Sequence, residues 1–328
     1  MSESAHVQPV PDPGPLPARP APGHKGTFGT VLVVGGCDMA QARSVMVGAP
    51  ALTANAALRS GCGLVKLAVP DSVVRPCLAL APCATAVSLP QTSSGSPAPS
   101  ASADAIDRAV GAAGVSAMAV GPGWGVAYEQ QQILIRLLAD DTVPIVVDAD
   151  GLSNLAAIQD FVPDIRAPLV ITPHPGEYRR LAQSLSLEVE YAADDHSRLA
   201  CAVALAQRLG CLVVLKGART VVSDGLRSWV SEYSSPILAT AGTGDVLTGI
   251  VASLAAQYFK AHWGSVAPQE RAGRDLFDLA VWGIRIHAQA AQCWSDAHDG
   301  ADCGLLASDL VDLIPMAMTR LGCRDVPD

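Results

Sequence analysis

A single carboxylate, Asp245, stands where a flexible turn meets a long apolar run. The segment over residues 239–257 is ATAGTGDVLTGIVASLAAQ. Glycines let successive backbone N–H groups converge on one anion, and the start of a helix adds its positive end at the same place. The pattern predicts a general base, Asp245, that accepts the proton of an attacking hydroxyl. It also predicts an anion hole formed by Ala241, Gly242, Thr243 and Gly244. The alternative is a simple N-cap before a buried helix.

Two further motifs carry polar side chains directly after apolar runs. In VVLKGARTVV, Lys216 and Gly217 end a predicted strand, where a lysine beside a glycine can approach a nucleotide phosphate. In TPHPGE, two prolines stiffen the turn around His174, and the helix that follows begins near Glu177. The alternatives are a solvated lysine and a structural histidine.

The segments AVGPGWG and VVDADGLSNL end two more predicted strands. Around Gly123 the backbone can come close to a ligand, and Trp124 either covers a flat ring or packs in the core. Asp148 and Asp150 share one turn, where they either hold Mg²⁺ through water or cap the next helix. We predict no metal held by direct ligation. VVGGCDMAQ lacks the G-x-G-x-x-G pattern, which disfavours an NAD-dependent oxidoreductase.

Short apolar strands alternate with helical patterns, and this order must bring the motifs together. In a mainly parallel α/β sheet, ligands bind beyond the carboxyl ends of the strands, where these loops would meet. RTVVSDGLRSWVS predicts a hairpin with its turn at Asp224 and Gly225. We expect residues 90–103 to form a surface loop and residues 1–23 to form a Pro-rich disordered tail. Residues 24–328 are expected to form one domain.

Composition excludes several classes of protein. The chain has 328 residues, of which 50% are hydrophobic and 16% charged, enough apolar surface for a large core. The net charge of -9 argues against nucleic-acid partners. Nine scattered cysteines indicate reduced thiols rather than a disulfide or zinc framework. The N-terminus has no signal-peptide pattern and no run is long enough to span a bilayer, so we expect a cytoplasmic protein without membrane partners.

Taken together, eight segments resemble the ADP-dependent NAD(P)H-hydrate dehydratases of the ribokinase-like superfamily. They run from about His24 to Arg320 and read HKGTFGTVLVVGG, GAPALTANAALRSGCGLVKLAVP, AVGPGWG, VVDADGLSNL, ITPHPGEYRRL, VVLKGARTVV, ATAGTGDVLTGIVASLAAQ and GLLASDLVDLIP. The resemblance implies a ribokinase-like three-layer αβα fold with a mainly parallel central sheet. It also implies dehydration of (6S)-NADHX and (6S)-NADPHX to NADH and NADPH, coupled to hydrolysis of ADP to AMP and phosphate.

The same resemblance implies roles for individual residues. The hydrated cofactor would contact Ala49, Gly123, His174 and Asp245. The nucleotide would contact Lys216, Gly217, Ala218, Arg219, Thr220 and Gly244. Further implications are Mg²⁺ as cofactor, ADP as co-substrate, a homotetramer, and a separate NAD(P)HX epimerase in the same pathway. The chain departs from the family at Thr27, where an aspartate is usual, and in DADGLS, where DADALN is usual.

Three alternatives compete with this interpretation. A kinase of a hydroxylated heterocycle, such as a vitamin precursor, would use the same anion hole and the same base. HKGTFG together with TPHPGE favours the dehydratase. A nucleotide-binding regulator without turnover is disfavoured by the intact GTGD and Lys-Gly pair, and an oxidoreductase by its missing fingerprint.

Overall fold

Short β-branched strands alternate with helices along most of the chain. The computed structural model describes residues 7–39, 44–259 and 274–323. The strands are β1 (Gln8–Pro9), β2 (Thr30–Val34), β3 (Cys37–Met39), β4 (Ser44–Met46), β5 (Leu64–Pro70), β6 (Thr85–Leu89), β7 (Val115–Val120), β8 (Ile145–Val147), β9 (Leu169–Ile171), β10 (Leu212–Leu215), β11 (Val221–Ser223) and β12 (Arg227–Val230). The helices are α1 (Gly48–Arg59), α2 (Val74–Leu80), α3 (Pro99–Ala113), α4 (Tyr128–Leu138), α5 (Asp150–Ala157), α6 (Pro175–Ser184), α7 (Asp195–Leu209), α8 (Thr243–Tyr258), α9 (Leu276–Ala297) and α10 (Ala307–Arg320).

Ten strands form one sheet in the order β1-β12-β11-β10-β9-β8-β7-β2-β5-β6. Every neighbouring pair from β10 to β6 is parallel, so these strands end at the same edge. Antiparallel pairing is confined to β10 with β11 and β11 with β12 in this sheet. The latter pair is the predicted hairpin, whose turn contains Gly225 at φ +87°. The prediction of a mainly parallel sheet is confirmed.

Helices cover both faces of the sheet, as a parallel sheet buried on two sides requires. Helices α3 to α7 contribute to the apolar cluster on one face, and α1, α2, α8 and α9 to the cluster on the other. Helix α10 packs on α8 and α9 outside that second layer. Helices α1 and α8 approach closely because Gly249 has no side chain: a Cβ there would lie 2.3 Å from the carbonyl oxygen of Thr53. The three-layer αβα architecture is therefore confirmed.

The N-terminal segment is ordered, which contradicts the predicted disordered tail for residues 7–23. Strand β1 pairs in parallel with β12, and Leu16 is fully buried. Two tryptophan N–H groups hold the segment: Trp229 donates to Asp12 Oδ1 at 2.9 Å and Trp282 donates to the Gly14 carbonyl at 2.9 Å. The prolines of the segment have no backbone N–H to donate, but backbone carbonyls of the segment still accept hydrogen bonds from side chains of the domain, as that of Gly14 does. Residues 1–6 lie outside the described residues.

The low-complexity stretch over residues 90–103 is only partly a loop. Helix α3 begins at Pro99, because proline suits the first turn of a helix, where its missing N–H is not needed. Ser96 and Ser102 are buried, and the Ser102 hydroxyl donates to the Pro90 carbonyl at 3.2 Å. The expectation of a surface loop is wrong for this second half.

The helices of the described part of the chain include none with the length and apolar character of a membrane span.

Candidate functional site

The glycine-rich turn before α8 forms a tight bend whose geometry requires glycine. Gly242 lies at φ +89°, and a Cβ there would lie 2.8 Å from Leu52 Cδ1 and 2.9 Å from Ala307 Cβ. The Thr243 hydroxyl ties the turn together by donating to the Leu238 carbonyl at 2.8 Å. Since α8 begins at Thr243, the positive end of the helix lies at this turn, where the Thr243 N–H donates to the Thr240 carbonyl at 3.4 Å. The predicted anion hole is therefore a bend that leads into a helix start.

Asp245 lies in the first turn of α8, one residue beyond the predicted anion hole. Burial, followed by the negative charge of Asp148, raises its pKa from an ordinary value of 3.8 to about 7. The Thr53 hydroxyl donates to the Asp245 carbonyl at 3.0 Å and to the Ala49 carbonyl at 3.1 Å. One hydroxyl thus links the start of α1 to the start of α8. A carboxylate with a pKa near neutrality suits a general base.

Lys216 reaches the same place from the carboxyl end of β10. Its ammonium lies 2.5 Å from Asp148 Oδ1 and 3.8 Å from Glu177 Oε2. The other oxygen of Asp148 accepts the Thr248 hydroxyl at 2.7 Å. A Cβ on Gly244 would lie 3.5 Å from Lys216 Nζ, so the ammonium is adjacent to the anion hole. Asp148 therefore anchors the lysine instead of capping a helix.

His174 and Glu177 form a reciprocal cap at the start of α6. The backbone N–H of Gly176 donates to His174 Nδ1 at 2.9 Å, and the His174 N–H donates to Glu177 Oε2 at 2.8 Å. Burial and then Lys216 lower the pKa of His174, so its ring is neutral at neutral pH. Burial raises the pKa of Glu177 to about 7. The ring is half exposed, and its Nε2 lies 3.4 Å from Glu177 Oε1.

Ala49 and Gly123 lie side by side across the loop that follows β7. A Cβ on Gly123 would come within 3.2 Å of Ala49 Cβ, which explains why glycine stands there. Asp150 Oδ2 accepts from the Gly125 N–H at 2.8 Å, so this carboxylate holds the glycine loop. Trp124 is fully buried, so it packs in the core and does not cover the ring of a ligand.

A cavity of about 360 Å³ joins most of the predicted nucleotide residues. Its lining includes Lys216, Gly217, Ala218, Thr220, Gly244 and His174. Arg219 does not contribute to this lining: it lies at φ +54° and forms an ion pair of 2.6 Å with Asp195. A larger groove of about 780 Å³ lies beside the N-terminal segment, but none of the predicted site residues lines it.

Several residues that shape the site were not found from sequence. His287 of α9 is buried and its Nε2 lies 2.8 Å from the Thr243 carbonyl. Burial lowers its pKa to about 4, so it is neutral and donates this hydrogen bond. Thr53 and Thr248 are fully buried and bond to Asp245 and Asp148, as described above. A lone histidine or threonine in an apolar helix gives no sequence signal of such a contact.

No three described His, Cys, Asp or Glu side chains are grouped so as to hold a metal ion. The carboxylates beside the anion hole already serve protein groups: Asp148 binds Lys216 and Thr248, and Asp150 binds a backbone N–H. Mg²⁺ usually keeps several waters and takes phosphate oxygens as ligands. The donor set therefore fits Mg²⁺ carried by a bound nucleotide better than a cage made of protein side chains.

Comparison with known proteins identifies close relatives. The family model described as NAD(P)H-hydrate dehydratase matches residues 31–316. The bifunctional NAD(P)H-hydrate repair enzyme Nnr of Moorella thermoacetica is 36% identical over 93% of this chain and 52% of its own length. The ADP-dependent (S)-NAD(P)H-hydrate dehydratase of Neisseria meningitidis is 33% identical over 89% of this chain and 86% of its own. The chain thus spans about half the length of the bifunctional relatives.

Solved structures agree with the fold. The ADP/ATP-dependent NAD(P)H-hydrate dehydratase of Bacillus subtilis, co-crystallised with ATP and Mg²⁺, superposes with a TM-score of 0.67 at 26% identity, covering 93% of this chain and 94% of its own. A ribokinase-like superfamily protein of Enterococcus faecalis reaches a TM-score of 0.68 at 22% identity, with coverage of 93% and 92%. The second likeness supports the ribokinase-like fold alone.

Proposed function

This chain belongs to the NAD(P)H-hydrate dehydratase family, and from that premise we propose that it repairs hydrated nicotinamide cofactors. The reaction converts (6S)-NADHX and (6S)-NADPHX to NADH and NADPH while ADP is hydrolysed to AMP and phosphate. The observation that carries the proposal is Asp245: a partly buried carboxylate with a pKa of about 7, in the first turn of a helix that begins at a glycine bend. Such a site supplies both a proton acceptor and a place for the phosphoryl group.

The chemistry follows from the poor leaving ability of hydroxide. Asp245 accepts the proton of the hydroxyl on C6 as its oxygen attacks the β-phosphorus of ADP, and the bond from that phosphorus to the bridging oxygen breaks to release AMP. The lone pair of the ring nitrogen then expels phosphate with the electrons of the C6–O bond. Loss of a proton from C5 restores the ring double bond. The anion hole stabilises the charge on the moving phosphoryl group.

The binding roles belong to the same proposal. We assign the hydrated nicotinamide to Ala49, Gly123, His174 and Asp245, and the nucleotide to the cavity that includes Lys216 and Gly244. The adjacency of Ala49 and Gly123 supports the first assignment, and the shared lining of the cavity supports the second. Arg219 is the exception among the nucleotide residues, because its guanidinium is engaged with Asp195. Its backbone N–H is engaged as well, because it donates to the Tyr233 carbonyl at 3.1 Å.

Mg²⁺ enters this scheme with the nucleotide. When bound, the ion would neutralise phosphate charge. The acidic surroundings of the anion hole favour a cation there, since Asp148 and Glu177 lie 2.5 Å and 3.8 Å from the Lys216 ammonium and Asp245 also lies within its electrostatic reach. We propose that these carboxylates contact the ion only through its waters.

The finer expectations from the resemblance remain proposals of the same kind. They are a cytoplasmic location, a homotetramer, one domain over residues 24–328 onto which residues 7–23 pack, and a separate epimerase that supplies the S epimer. Light scattering of the purified protein tests the tetramer directly: a monomeric mass would reject it.

The decisive experiment incubates the protein with ADP, Mg²⁺ and NADHX. Return of the absorbance of reduced nicotinamide, in step with release of AMP and phosphate, is the expected result. A kinase of a hydroxylated heterocycle would instead leave NADHX unchanged and consume nucleotide only when its own alcohol is added. AMP binding without phosphate release would indicate a regulator.

A further inference from the structure

The hydrated cofactor carries a pyrophosphate, and the wall that would face it is acidic. Burial raises the pKa of Asp150, Glu177 and Asp245, and the negative charge of Asp148 adds to each of these shifts. The ammonium of Lys216 is already bound to Asp148. Lys216 is assigned to ADP, so the pyrophosphate of NAD(P)HX needs a different cation. We expect that cation at the rim of the site, the edge that connects Ala49 with His174.

The rim is continuous from Ala49 to His174. Ala49 lies beside Gly123, where a Cβ would come within 3.2 Å of Ala49 Cβ, and the Gly125 N–H donates to Asp150 Oδ2 at 2.8 Å. Asp150 begins α5, which packs against α6, and α6 begins next to His174. The predicted contacts of the hydrated nicotinamide thus lie along one edge, which runs from Gly123 over the start of α5 to His174 at the start of α6.

Arg180 stands on that edge. It is three residues after Glu177 on α6, hence on the same helix face, and its Nη2 donates to the Ser153 hydroxyl of α5 at 3.3 Å. Burial raises the pKa of Asp150 and that of Glu177, and the positive charge of Arg180 opposes both shifts. The guanidinium is therefore within electrostatic reach of both carboxylates.

Arg180 is also free to take an anion. Its side chain is exposed, and it forms no ion pair with any carboxylate among the described residues. Two exposed arginines elsewhere show the contrast: Arg136 bonds two aspartates and Arg320 bonds one. The single contact to Ser153 orients the guanidinium and leaves most of its donors unused.

We propose that Arg180 binds the pyrophosphate of NAD(P)HX, with Ser153 orienting its guanidinium. This inference rests on the proposed function. A planar guanidinium presents paired donors that match phosphate oxygens, so it suits this task better than a lysine. The predicted effect is on the dinucleotide substrate and not on ADP, because the nucleotide cavity is lined by other residues.

The test compares Arg180→Ala with Arg179→Ala on two substrates. Arg179 is the matched control, since it is an exposed arginine of the same helix whose guanidinium lies 5.1 Å from the Tyr191 ring centre. The substrates are NADHX and the hydrated form of reduced nicotinamide riboside, which carries no phosphate. For Arg180→Ala we expect kcat/KM on NADHX to fall roughly 10- to 100-fold, mainly through KM, the range for a lost hydrogen bond to a charged group.

The riboside and the KM for ADP are the internal references. Both should be unchanged in Arg180→Ala, Arg179→Ala should behave as wild type, and Arg180→Lys should recover part of the loss. An equal loss on the riboside, or no loss on NADHX, overturns the assignment of Arg180. If the wild-type protein dehydrates neither substrate, the proposed function itself has failed. That result differs from an active wild-type protein whose KM for NADHX equals that of Arg180→Ala.

Discussion

Replacement of Asp245 by asparagine should inactivate the protein and stabilise it at the same time. In the unfolded chain this carboxyl loses its proton near pH 3.8, but in the folded protein burial holds the proton up to about pH 7. Folding therefore favours the protonated form, and stability falls as pH rises between these two values. One pKa unit corresponds to about 1.4 kcal/mol. Relative to low pH, where the carboxyl is protonated in both states, the raised pKa lowers the free energy of unfolding by about 4 kcal/mol at pH 8 and by less than half of that at pH 5. A neutral asparagine avoids this cost.

Thermal and denaturant unfolding of both proteins measure this difference. We expect Asp245→Asn to be more stable than wild type by about 2–4 kcal/mol at pH 8, a rise in Tm on the order of 5 °C. The advantage should shrink as the pH is lowered, which makes the acidic measurement the control. Turnover should fall by about 10²–10⁴, the usual cost of removing a general base, while AMP still binds. Equal stability at both pH values, or wild-type turnover, would refute the role of this partly buried carboxylate as a base.

Three further predictions test the surroundings. The value of kcat/KM should fall about tenfold per pH unit below about pH 7, where Asp245 takes up a proton; a profile flat from pH 5 to 8 would contradict this. Lys216→Ala should weaken AMP binding at least roughly tenfold and destabilise the protein by about 3 kcal/mol, since it leaves Asp148 buried without its partner. Adding Asp148→Asn should restore part of that stability in urea unfolding, and no recovery would argue against the pair. Leu16→Ala should lower the free energy of unfolding by about 2–5 kcal/mol, whereas a disordered segment would leave the Tm unchanged.

The edge that gathers the site could be predicted because each of its loops follows a recognisable strand. The segments after β7, β8, β9 and β10 carry GPGWG, DAD, TPHPGE and KGART, and these strands are neighbours in the sheet. Parallel pairing sends their carboxyl ends to one side, so residue type and chain order were enough to bring Gly123, His174 and Lys216 to one edge. The helix start at Thr243 follows from glycine and the apolar run alone.

The partners of these residues could not be predicted in the same way. Lys216 and Asp148 are separated by 68 residues, and His287 and Thr243 by 44, so no local pattern links them. Asp148 looked like a metal or capping carboxylate because only the folded chain supplies its ammonium. The order of the N-terminal segment has the same origin. Its composition is that of a flexible tail, and its order depends on indole donors more than two hundred residues away.

The position of Lys216 explains how an anion-binding site can keep a strong base. An ammonium paired directly with Asp245 would lower the pKa of that carboxyl and make it a poor proton acceptor. Instead Lys216 is bound to Asp148 at 2.5 Å, and Asp148 is itself fixed by the Thr248 hydroxyl at 2.7 Å. The lysine thus remains beside Gly244, where a phosphate would lie, while burial keeps the pKa of Asp245 near 7. Asp148 separates the two tasks, because its ion pair engages the cation that serves the phosphate and leaves Asp245 without a direct ion pair among the described residues.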